Sequence, residues 1–337
     1  MNVLVLYNYS DKQETLEKDY SEEAVKECAF SVRKALECFN HQVIMFTLMD
    51  TTDSLKSMIE LLAKGNIDII FNLCEGFGWD STMEHNIAGI FELLNIKFTG
   101  SGSFTLASCL NKGRTKEVLT FYGIRTPNFQ TLFSPHNKIK KELTLPLIIK
   151  PLMEDASVGI RNNSVIYEAS EIEKMVSLFF ERYKKSALVE EYIDGREFNV
   201  AVMGNSELEV LPVSEIDFSG LPKEMNRICT YESKWDYESI AFRRTPPVCP
   251  AKIDSGLEEE IKEVAIKTYR AMECSDYARV DMRLSNDGKL YVLEANPNPD
   301  LSTDAGFSNI AKASGMSYET LILKILEIAL MRYKSKQ

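Results

Sequence analysis

The chain has 337 residues, of which 45% are hydrophobic and 26% are charged, and its formal net charge is -11. This length and apolar content are sufficient for a buried core divided over two or three domains. Because nucleic acid is bound by basic surfaces, the acidic balance and the lack of a Lys/Arg cluster argue against a nucleic-acid partner.

Seven cysteines and three histidines are scattered along the chain without a Cys-x-x-Cys pair or a zinc-like spacing. They argue against a zinc hydrolase or a Cys/His nucleophile, and free thiols in a reducing compartment are the simplest account. The apolar run at the N-terminus is too short for a signal sequence or a membrane span. We expect a cytoplasmic protein with no membrane partner.

The first third of the chain alternates strand and helix patterns. Strand patterns lie at residues 2–7, 42–46 and 67–73, and helix patterns lie at residues 22–39 and 53–64. This alternation predicts an open α/β layer with a mostly parallel sheet. We expect this N-terminal, substrate-side domain to span residues 1–108.

The remainder predicts two α+β units, a central one at residues 109–194 and a C-terminal one at residues 195–337. The central unit has a helix at 110–123, a strand at 145–151, a loop at 153–160, a helix at 169–184 and a strand at 187–193. The C-terminal unit has strands at 198–204, 208–216, 277–284 and 289–296, with helices at 257–272 and 317–334. The last helix is amphipathic, and its charged residues argue against a membrane span.

One predicted hairpin ends in polar residues that apolar strands rarely contain. Residues two apart on a strand point to the same side, so Glu294 and Asn296 face one point. The Asn-Asp-Gly turn before this strand predicts that Asp281 lies across from them. Two carboxylates and a carboxamide are ligands suited to Mg²⁺, with Mn²⁺ as a substitute, and Mg²⁺ shares its coordination with phosphates. The hairpin therefore predicts ATP chemistry.

The chain has no GxxxxGK[ST] loop to hold the phosphates of ATP. Lys112, Lys150 and the glycine-containing loop 157–159 are the alternative. A lysine is a compact positive charge and the loop offers backbone N–H groups, so together they can bind a triphosphate.

Six segments in fixed order resemble the ATP-grasp ligases, specifically the D-alanine-D-alanine ligase family. They are LNKGRTK, IIKP followed by ASVGI, LVEEYIDGREF, YESKW, ARVDMRL and LEANPNP. The resemblance covers most of the chain and implies an ATP-grasp fold of three domains, in which two α+β units clasp ATP. It also implies an ATP- and Mg²⁺-dependent carboxylate-amine ligase that forms an amide through an acyl phosphate, with ADP and phosphate as co-products.

The resemblance further implies a role for individual residues, and for a loop at 225–236 that closes the site. The catalytic positions are Arg279, Lys234, Ser157 and Gly159. The nucleotide positions are Lys112, Lys150, Glu190, Glu191, Ile193, Glu197 and Leu293. The metal positions are Asp281, Glu294 and Asn296. The implied partners are a small carboxylate and a small amine, and homodimers are common in the family.

Both amino-acid pockets depart from the family pattern. On the donor side the first strand lacks the usual Gly-Gly turn, a serine position is Ala156 and a tyrosine position is Trp235. On the acceptor side Asp300 replaces a glycine and Ala305 replaces a serine. We therefore expect altered substrates. The donor side would be lined by Glu75, Trp79, Asp80 and Glu84. On the acceptor side, Asp300 and Asp304 would recruit a cationic amine.

Each of these residues also has a structural explanation. Lys150 suits a strand end, Glu190 and Glu191 an edge strand, Trp235 packing and Asp300 a helix N-cap. Their joint occurrence in family order favours function. Three functional alternatives remain: a D-alanine-D-alanine ligase proper, an inactive ATP-binding protein, against which Arg279 argues, and a phosphotransferase that forms no amide.

Overall fold

The structure is a computed structural model that describes residues 1–9, 16–78 and 80–334. Its N-terminal part is a parallel sheet in which β1 (Asn2–Tyr9) lies between β2 (Gln42–Met49) and β3 (Ile69–Asn72). Three helices accompany it, α1 (Leu16–Glu37), α2 (Thr52–Ala63) and α3 (Glu84–Leu93), with a 3₁₀ turn at Ser81–Met83.

The central strand β1 is buried on both faces. Val3 and Val5 pack in a cluster with α1, whereas Leu4 and Leu6 pack in a cluster with α2 and α3. A parallel strand covered on both faces is a continuous apolar run, and this explains why NVLVLY shows no alternation. The predicted α/β layer is confirmed.

Two helices, α4 (Ser103–Leu110) and α5 (Lys112–Phe121), lead into an antiparallel central sheet. Its strands are β4 (Phe129–Leu132), β5 (Leu147–Pro151), β6 (Val165–Ile166) and β7 (Ala187–Glu191), in the order β4-β7-β5-β6. Short 3₁₀ turns lie at Asn162–Ser164 and Ala169–Glu171, and α6 (Ile172–Tyr183) covers one face. The apolar side of α6 places Val176 and Phe179 against Ile149 and Val189.

The C-terminal sheet has the order β11-β10-β8-β12-β13, and β9 pairs with β8. These strands are β8 (Gly195–Gly204), β9 (Leu208–Val210), β10 (Ser214–Ile216), β11 (Pro247–Val248), β12 (Asp276–Ser285) and β13 (Leu290–Asn296). The helices are α7 (Tyr231–Trp235), α8 (Ile240–Arg244), α9 (Ser255–Ala271), α10 (Gly306–Ala313) and α11 (Tyr318–Lys334).

Helix α11 returns to the start of the chain, where Ile322, Ile325 and Leu326 join the cluster formed by β1 and α1. The N-terminal sheet and the C-terminal sheet therefore share one core. None of the helices in the described part of the chain combines the length and the apolar character needed to cross a bilayer.

The structure contains more elements than the sequence predicted. Helix α1 begins at Leu16 rather than at residue 22. The elements that were not predicted are the helices α3, α4, α7, α8 and α10 and the short strands β4, β6 and β11. They are all short, so they show too little of a period in the sequence. Side-chain caps help to hold two of these helices, since Thr230 accepts from the Ser233 amide in α7 and Ser239 accepts from the Phe242 amide in α8.

Candidate active site

A cavity of about 620 Å³ lies where the three sheets meet. The N-terminal sheet contributes the loop that contains Glu75, the central sheet contributes Lys150, and the C-terminal sheet contributes Asp281 and Glu294. Large cavities with converging polar groups are the usual position of an active site.

The hairpin of β12 and β13 builds one wall of the cavity. Asp281 pairs directly across from Glu294, and Arg279 pairs across from Asn296. A register shift follows Asp281, so that Met282 pairs with Val292 and the chain bulges at Leu293. The structure thus places Asp281, Glu294 and Asn296 together, as the hairpin pattern predicts, and Leu293 lines the cavity beside them.

The Asp281 carboxylate is held by three neighbouring side chains. The Arg279 guanidinium donates to both of its oxygens at 2.8 Å. Asn296 Nδ2 donates to Oδ2 at 3.0 Å, and Asn199 Nδ2 donates to Oδ1 at 2.8 Å. Burial by itself lowers the pKa of Arg279, but the Asp281 carboxylate outweighs it, and the pKa is raised above its ordinary value. Arg279 therefore stays charged, as a fixed donor at the cavity.

Lys112, the first residue of α5, does not line the cavity but pairs with residues beside it. Its Nζ lies 2.8 Å from Glu294 Oε2 and 3.4 Å from Asp155 Oδ1. Burial raises the pKa of Glu294, and the charges of Lys112 and Lys150 lower it further than burial raises it, so the net shift is downward. Glu294 is therefore an ionised carboxylate despite its burial.

These residues fit a hard divalent cation. Two carboxyl groups stand across from each other, and Asn296 uses its amide nitrogen on Asp281, which leaves its carbonyl oxygen as a ligand. Within the described residues, no group of three His, Cys, Asp or Glu side chains is arranged to hold a metal. The predicted ligands Asp281, Glu294 and Asn296 comprise two carboxylate side chains and one carboxamide, so they do not form such a group of three.

On the opposite wall, the Glu190 carboxylate lies between two lysines. Lys150 Nζ is 2.7 Å from Oε1, and Lys116 Nζ is 2.6 Å from Oε2. Glu190 was predicted to meet the adenine edge; it lines the cavity, but both of its oxygens are paired. The sequence interpretation missed Lys116, although its position one helical turn after Lys112 was a signal.

Glu191 and Glu197 have different surroundings. Glu191 accepts bonds from Asn128 Nδ2 at 3.0 Å and from the Thr144 amide at 2.9 Å, so this carboxylate is committed to a nearby loop. Glu197 accepts two bonds from Arg283 at 2.9 and 2.6 Å. Both glutamates line the cavity, and their nucleotide roles remain predictions.

Arg283 is a further residue that the sequence interpretation did not assign to the site. It is buried, and besides Glu197 its Nη1 donates to the Ile193 carbonyl at 3.2 Å. Along β12, apolar residues alternate with Arg279, Asp281 and Arg283. An exposed strand face would show the same pattern, but here all three charged residues line one cavity.

The predicted phosphate loop has an unusual backbone. Ala156 and Ser157 have φ values of 53° and 60°, and the Val158 amide closes the turn on the Asp155 carbonyl at 3.0 Å. Two left-handed residues in a row suit Gly or Asn, so Ala and Ser here are under strain. Ser157 lines the large cavity, whereas Gly159 lines a separate cavity of about 420 Å³ behind it. A Cβ at Gly159 would lie 2.7 Å from Pro151 Cγ.

The helix that contains Lys234 and Trp235 docks onto this loop. Trp235 Nε1 donates to the Ala156 carbonyl at 3.2 Å, and the Tyr231 amide donates to the Ile160 carbonyl at 3.1 Å. Lys234 and Trp235 line the cavity. The two altered donor-side positions, Ala156 and Trp235, are thus in contact.

Replacing Trp235 with Phe is expected to loosen this contact, because Phe keeps an aromatic ring but has no N–H. One neutral hydrogen bond contributes about 1 kcal/mol, so its removal should lower the equilibrium constant for docking of the helix on the loop about fivefold. In the ligase reaction that the resemblance implies, phosphate release without amide formation should rise relative to ligation. The ratio of phosphate to amide product measures this, and an unchanged ratio would show that the bond is only incidental.

The predicted substrate residues lie at the other end of the cavity. Glu75, Asp300 and Asp304 line it, whereas Trp79 lies outside the described residues. Asp300 Oδ1 accepts from the Ser302 amide at 2.8 Å and from the Ser302 hydroxyl at 2.7 Å. The N-cap residue of α10 is Ala305, so the interpretation of Asp300 as a helix cap is wrong.

Glu84 also belongs to this end. It is buried, and Asn298 donates to its Oε1 at 2.8 Å and to the Cys74 carbonyl at 3.0 Å. Burial raises the pKa of Glu84 to about 8, while the bond from Asn298 opposes the rise. Asn298 follows the β12–β13 hairpin that presents the predicted metal ligands, called the metal hairpin below. Asn298 therefore ties the N-terminal loops to the C-terminal sheet.

Comparison with known proteins agrees with this geometry. A family model described as the D-ala D-ala ligase C-terminus matches residues 117–327. The D-alanine-D-alanine ligase of Carboxydothermus hydrogenoformans is 33% identical over 285 residues, which cover 82% of this chain and 85% of that ligase. An uncharacterized protein of Sinorhizobium fredii is 36% identical over 265 residues, which cover 79% of this chain and 75% of that protein.

Solved structures share the fold. The ATP complex of the D-alanine-D-alanine ligase from Bacillus anthracis superposes with a TM-score of 0.75 at 21% identity, covering 99% of each chain. The VanG D-Ala:D-Ser ligase from Enterococcus faecalis superposes with a TM-score of 0.72 at 22% identity, covering 97% of this chain and 99% of that one. The predicted ATP-grasp fold is confirmed, and the chain belongs to the D-alanine-D-alanine ligase family.

Proposed function

We propose that the protein is an ATP-dependent ligase that joins an amino-acid carboxylate to an amine and releases ADP and phosphate. The observation that supports this most strongly is the cross-strand set on one cavity wall. Arg279, Asp281 and Glu294 are positioned there by backbone register, and Lys150 lies on the opposite wall.

In the first step a substrate carboxylate oxygen attacks the γ-phosphorus of ATP. The bond to the β,γ-bridging oxygen breaks, and ADP leaves with that electron pair. Two anions must approach each other, so positive charge is needed around the phosphates. Lys150 and Lys234 line the cavity and supply it, while Lys112 holds Glu294 in place.

Asp281, Glu294 and the carbonyl of Asn296 would hold Mg²⁺ or Mn²⁺, which neutralises phosphate charge when bound. The chain prepares this set in advance. Lys112 pairs with Glu294 and Arg279 pairs with Asp281, so each of the two carboxyl groups has a cationic partner in the largely buried wall.

In the second step the amine attacks the acyl carbon and phosphate leaves. Negative charge develops on the acyl oxygen, and a fixed donor in a site that excludes water stabilises it strongly. Arg279 has the required properties, since it is mostly buried, permanently charged and fixed by two bonds to Asp281. The docked Trp235 would limit hydrolysis of the acyl phosphate.

The substrates are proposed to differ from two molecules of D-alanine. Asp300 adds a carboxylate to the acceptor end, and Glu75 and Asp304 line the same end. An acceptor with an additional positive charge would offset these carboxylates, whereas an acceptor carboxylate would be repelled.

We also propose three domains, at residues 1–108, 109–194 and 195–337. One sheet falls within each range, which supports these boundaries. The large cavity is lined by all three ranges, so closure of the central unit over the C-terminal one would enclose ATP.

The test is ATP-dependent phosphate release with Mg²⁺ across D- and L-amino acids and diamines, singly and in pairs, with mass detection of products. A new amide whose formation requires a basic acceptor is the expected product. The D-alanine dipeptide as the preferred product would establish a D-alanine-D-alanine ligase proper, which the 33% identical relative favours. A stable phosphoester, or no product in any pair, would contradict amide formation.

A further inference from the structure

The cavity wall formed by β5 and β7 is supported by a lysine that no substrate can reach. Lys116 is fully buried in α5, and it does not line the cavity. Its Nζ lies 2.6 Å from Glu190 Oε2, and Lys150 Nζ lies 2.7 Å from Glu190 Oε1. One buried carboxylate is therefore shared by a hidden lysine and a lysine on the cavity wall.

The same lysine reaches the metal hairpin. Lys116 Nζ donates to Thr126 Oγ1 at 2.9 Å, and Thr126 Oγ1 donates to the Val292 carbonyl at 2.8 Å. Val292 also donates its amide to the Arg125 carbonyl at 2.8 Å. Val292 precedes Leu293 and Glu294 on β13. Lys116 therefore connects the cavity wall formed by β5 and β7 to the strand that presents predicted metal ligands.

Burying a lysine is costly, and a structural pair would need only one lysine for one carboxylate. Here Lys116 changes how strongly Lys150 can attract a phosphate. With Lys116 present, Glu190 is neutralised from behind, and Lys150 retains attraction for an added anion. Without the Lys116 charge, Glu190 would hold Lys150 as its only cation and draw it away from a phosphate.

We propose that Lys116 is a positioning residue for nucleotide binding: through Glu190 it sets the place and the free charge of Lys150, and through Thr126 it aligns that wall with the metal hairpin. This inference rests on the proposed ATP-dependent function. It concerns nucleotide affinity, however, and can be tested without knowledge of the amino-acid substrates.

The charged groups around Lys116 also predict a pH dependence. Glu190 pairs with it from β7, and the charges of Lys150 on β5 and Glu294 on β13 also act on it. Burial lowers the pKa of Lys116 to about 8, more strongly than Glu190 raises it. Lys116 is therefore charged below pH 8 and loses its charge above it, so nucleotide affinity should weaken as the pH rises through this value.

The experiment measures the Kd of a non-hydrolysable ATP analogue with Mg²⁺ by calorimetry, for the wild type, Lys116→Met and Lys116→Arg. Met keeps the length of the side chain without its charge, and the expected Kd rises about tenfold or more. Arg stays charged, so it should restore most of the affinity and remove the loss above pH 8. Lys267→Met, which breaks an exposed pair with Glu263, is the matched control and should change nothing.

Thr126→Val is the second variant, because Lys116→Met can destabilise the fold. Val removes the link to Val292 but leaves both pairs of Glu190, so a smaller increase of the Kd is expected in a protein whose melting is little changed. An unchanged Kd in folded Lys116→Met would overturn the proposal. Tight binding of the analogue without any ligation product would refute the ligase function and leave this inference standing.

Discussion

Replacing Asp281 with Asn is expected to lower kcat/KM for ATP-dependent turnover by about 10²- to 10³-fold, the range found when one fixed charge-stabilising group is removed. Asp281 accepts two bonds from Arg279 and faces Glu294 across the hairpin. Asn can accept one of these bonds, but its NH₂ group would point at a second donor. Arg279 would lose its fixed orientation, and the hairpin would lose one of two carboxylates for a cation.

Initial rates at saturating and limiting Mg²⁺, together with thermal melting, test this expectation. The Mg²⁺ concentration for half-maximal turnover should rise as well, a readout that a folding defect alone would not move. Glu258→Gln in α9 is the matched control, because it removes a carboxylate from a partly exposed pair with Lys262. A folded Asp281→Asn protein with more than a third of wild-type turnover would contradict the role assigned to Asp281.

Local signals allowed the metal hairpin to be predicted. The Asn-Asp-Gly turn fixes the register, since Gly288 adopts a φ of 79° and the Ser285 amide bonds to the Lys289 carbonyl at 2.9 Å. Once the register is fixed, the two-residue period of a strand determines which side chains share a face. The regular register from the turn places Asp281 opposite Leu293, inside the predicted range from Val292 to Glu294. The bulge at Leu293, which the sequence did not indicate, brings Glu294 directly across from Asp281.

Contacts between distant segments could not be predicted in this way. Asn199 reaches Asp281 from β8, and Asn298 reaches Glu84 across two sheets. No periodicity or turn links such residues, and they become partners only because separate sheets pack around one cavity. The pairing of Glu190 with Lys116 is of the same kind, and it makes Glu190 a shared counter-ion of two lysines, while its contact with adenine stays a prediction.

The altered donor pocket contains another contact that could not be predicted from the sequence. The sequence shows that Ala156 and Trp235 depart from the family pattern, but only the structure shows that the indole bonds to the Ala156 carbonyl. A backbone carbonyl is present in every residue, so its use as a partner leaves no trace in the sequence. Its orientation here depends on the left-handed turn at Ala156 and Ser157.

Replacing Asp300 with Asn is expected to reverse the selectivity for the acceptor. Asp300 is charge-coupled to Arg279 and lines the end of the cavity with Asp304. A hydrogen bond to a charged group contributes about 1.5–3 kcal/mol, so the ratio of kcat/KM for a basic acceptor over a neutral amino acid should fall by about 10- to 150-fold. Competition between the two acceptors in one reaction, followed by mass detection, measures this ratio directly.

The turn around Asp300 should survive this change. Its Oδ1 accepts from the Ser302 amide and hydroxyl, and the Asn carbonyl oxygen can accept the same two bonds. The substitution therefore removes charge while conserving shape. Asp287→Asn, in the exposed hairpin turn, is a control that removes the same charge away from the cavity. If Asp300→Asn leaves the ratio unchanged, the acceptor amine is bound elsewhere, and Asp304 becomes the carboxylate to test next because it lines the same end of the cavity.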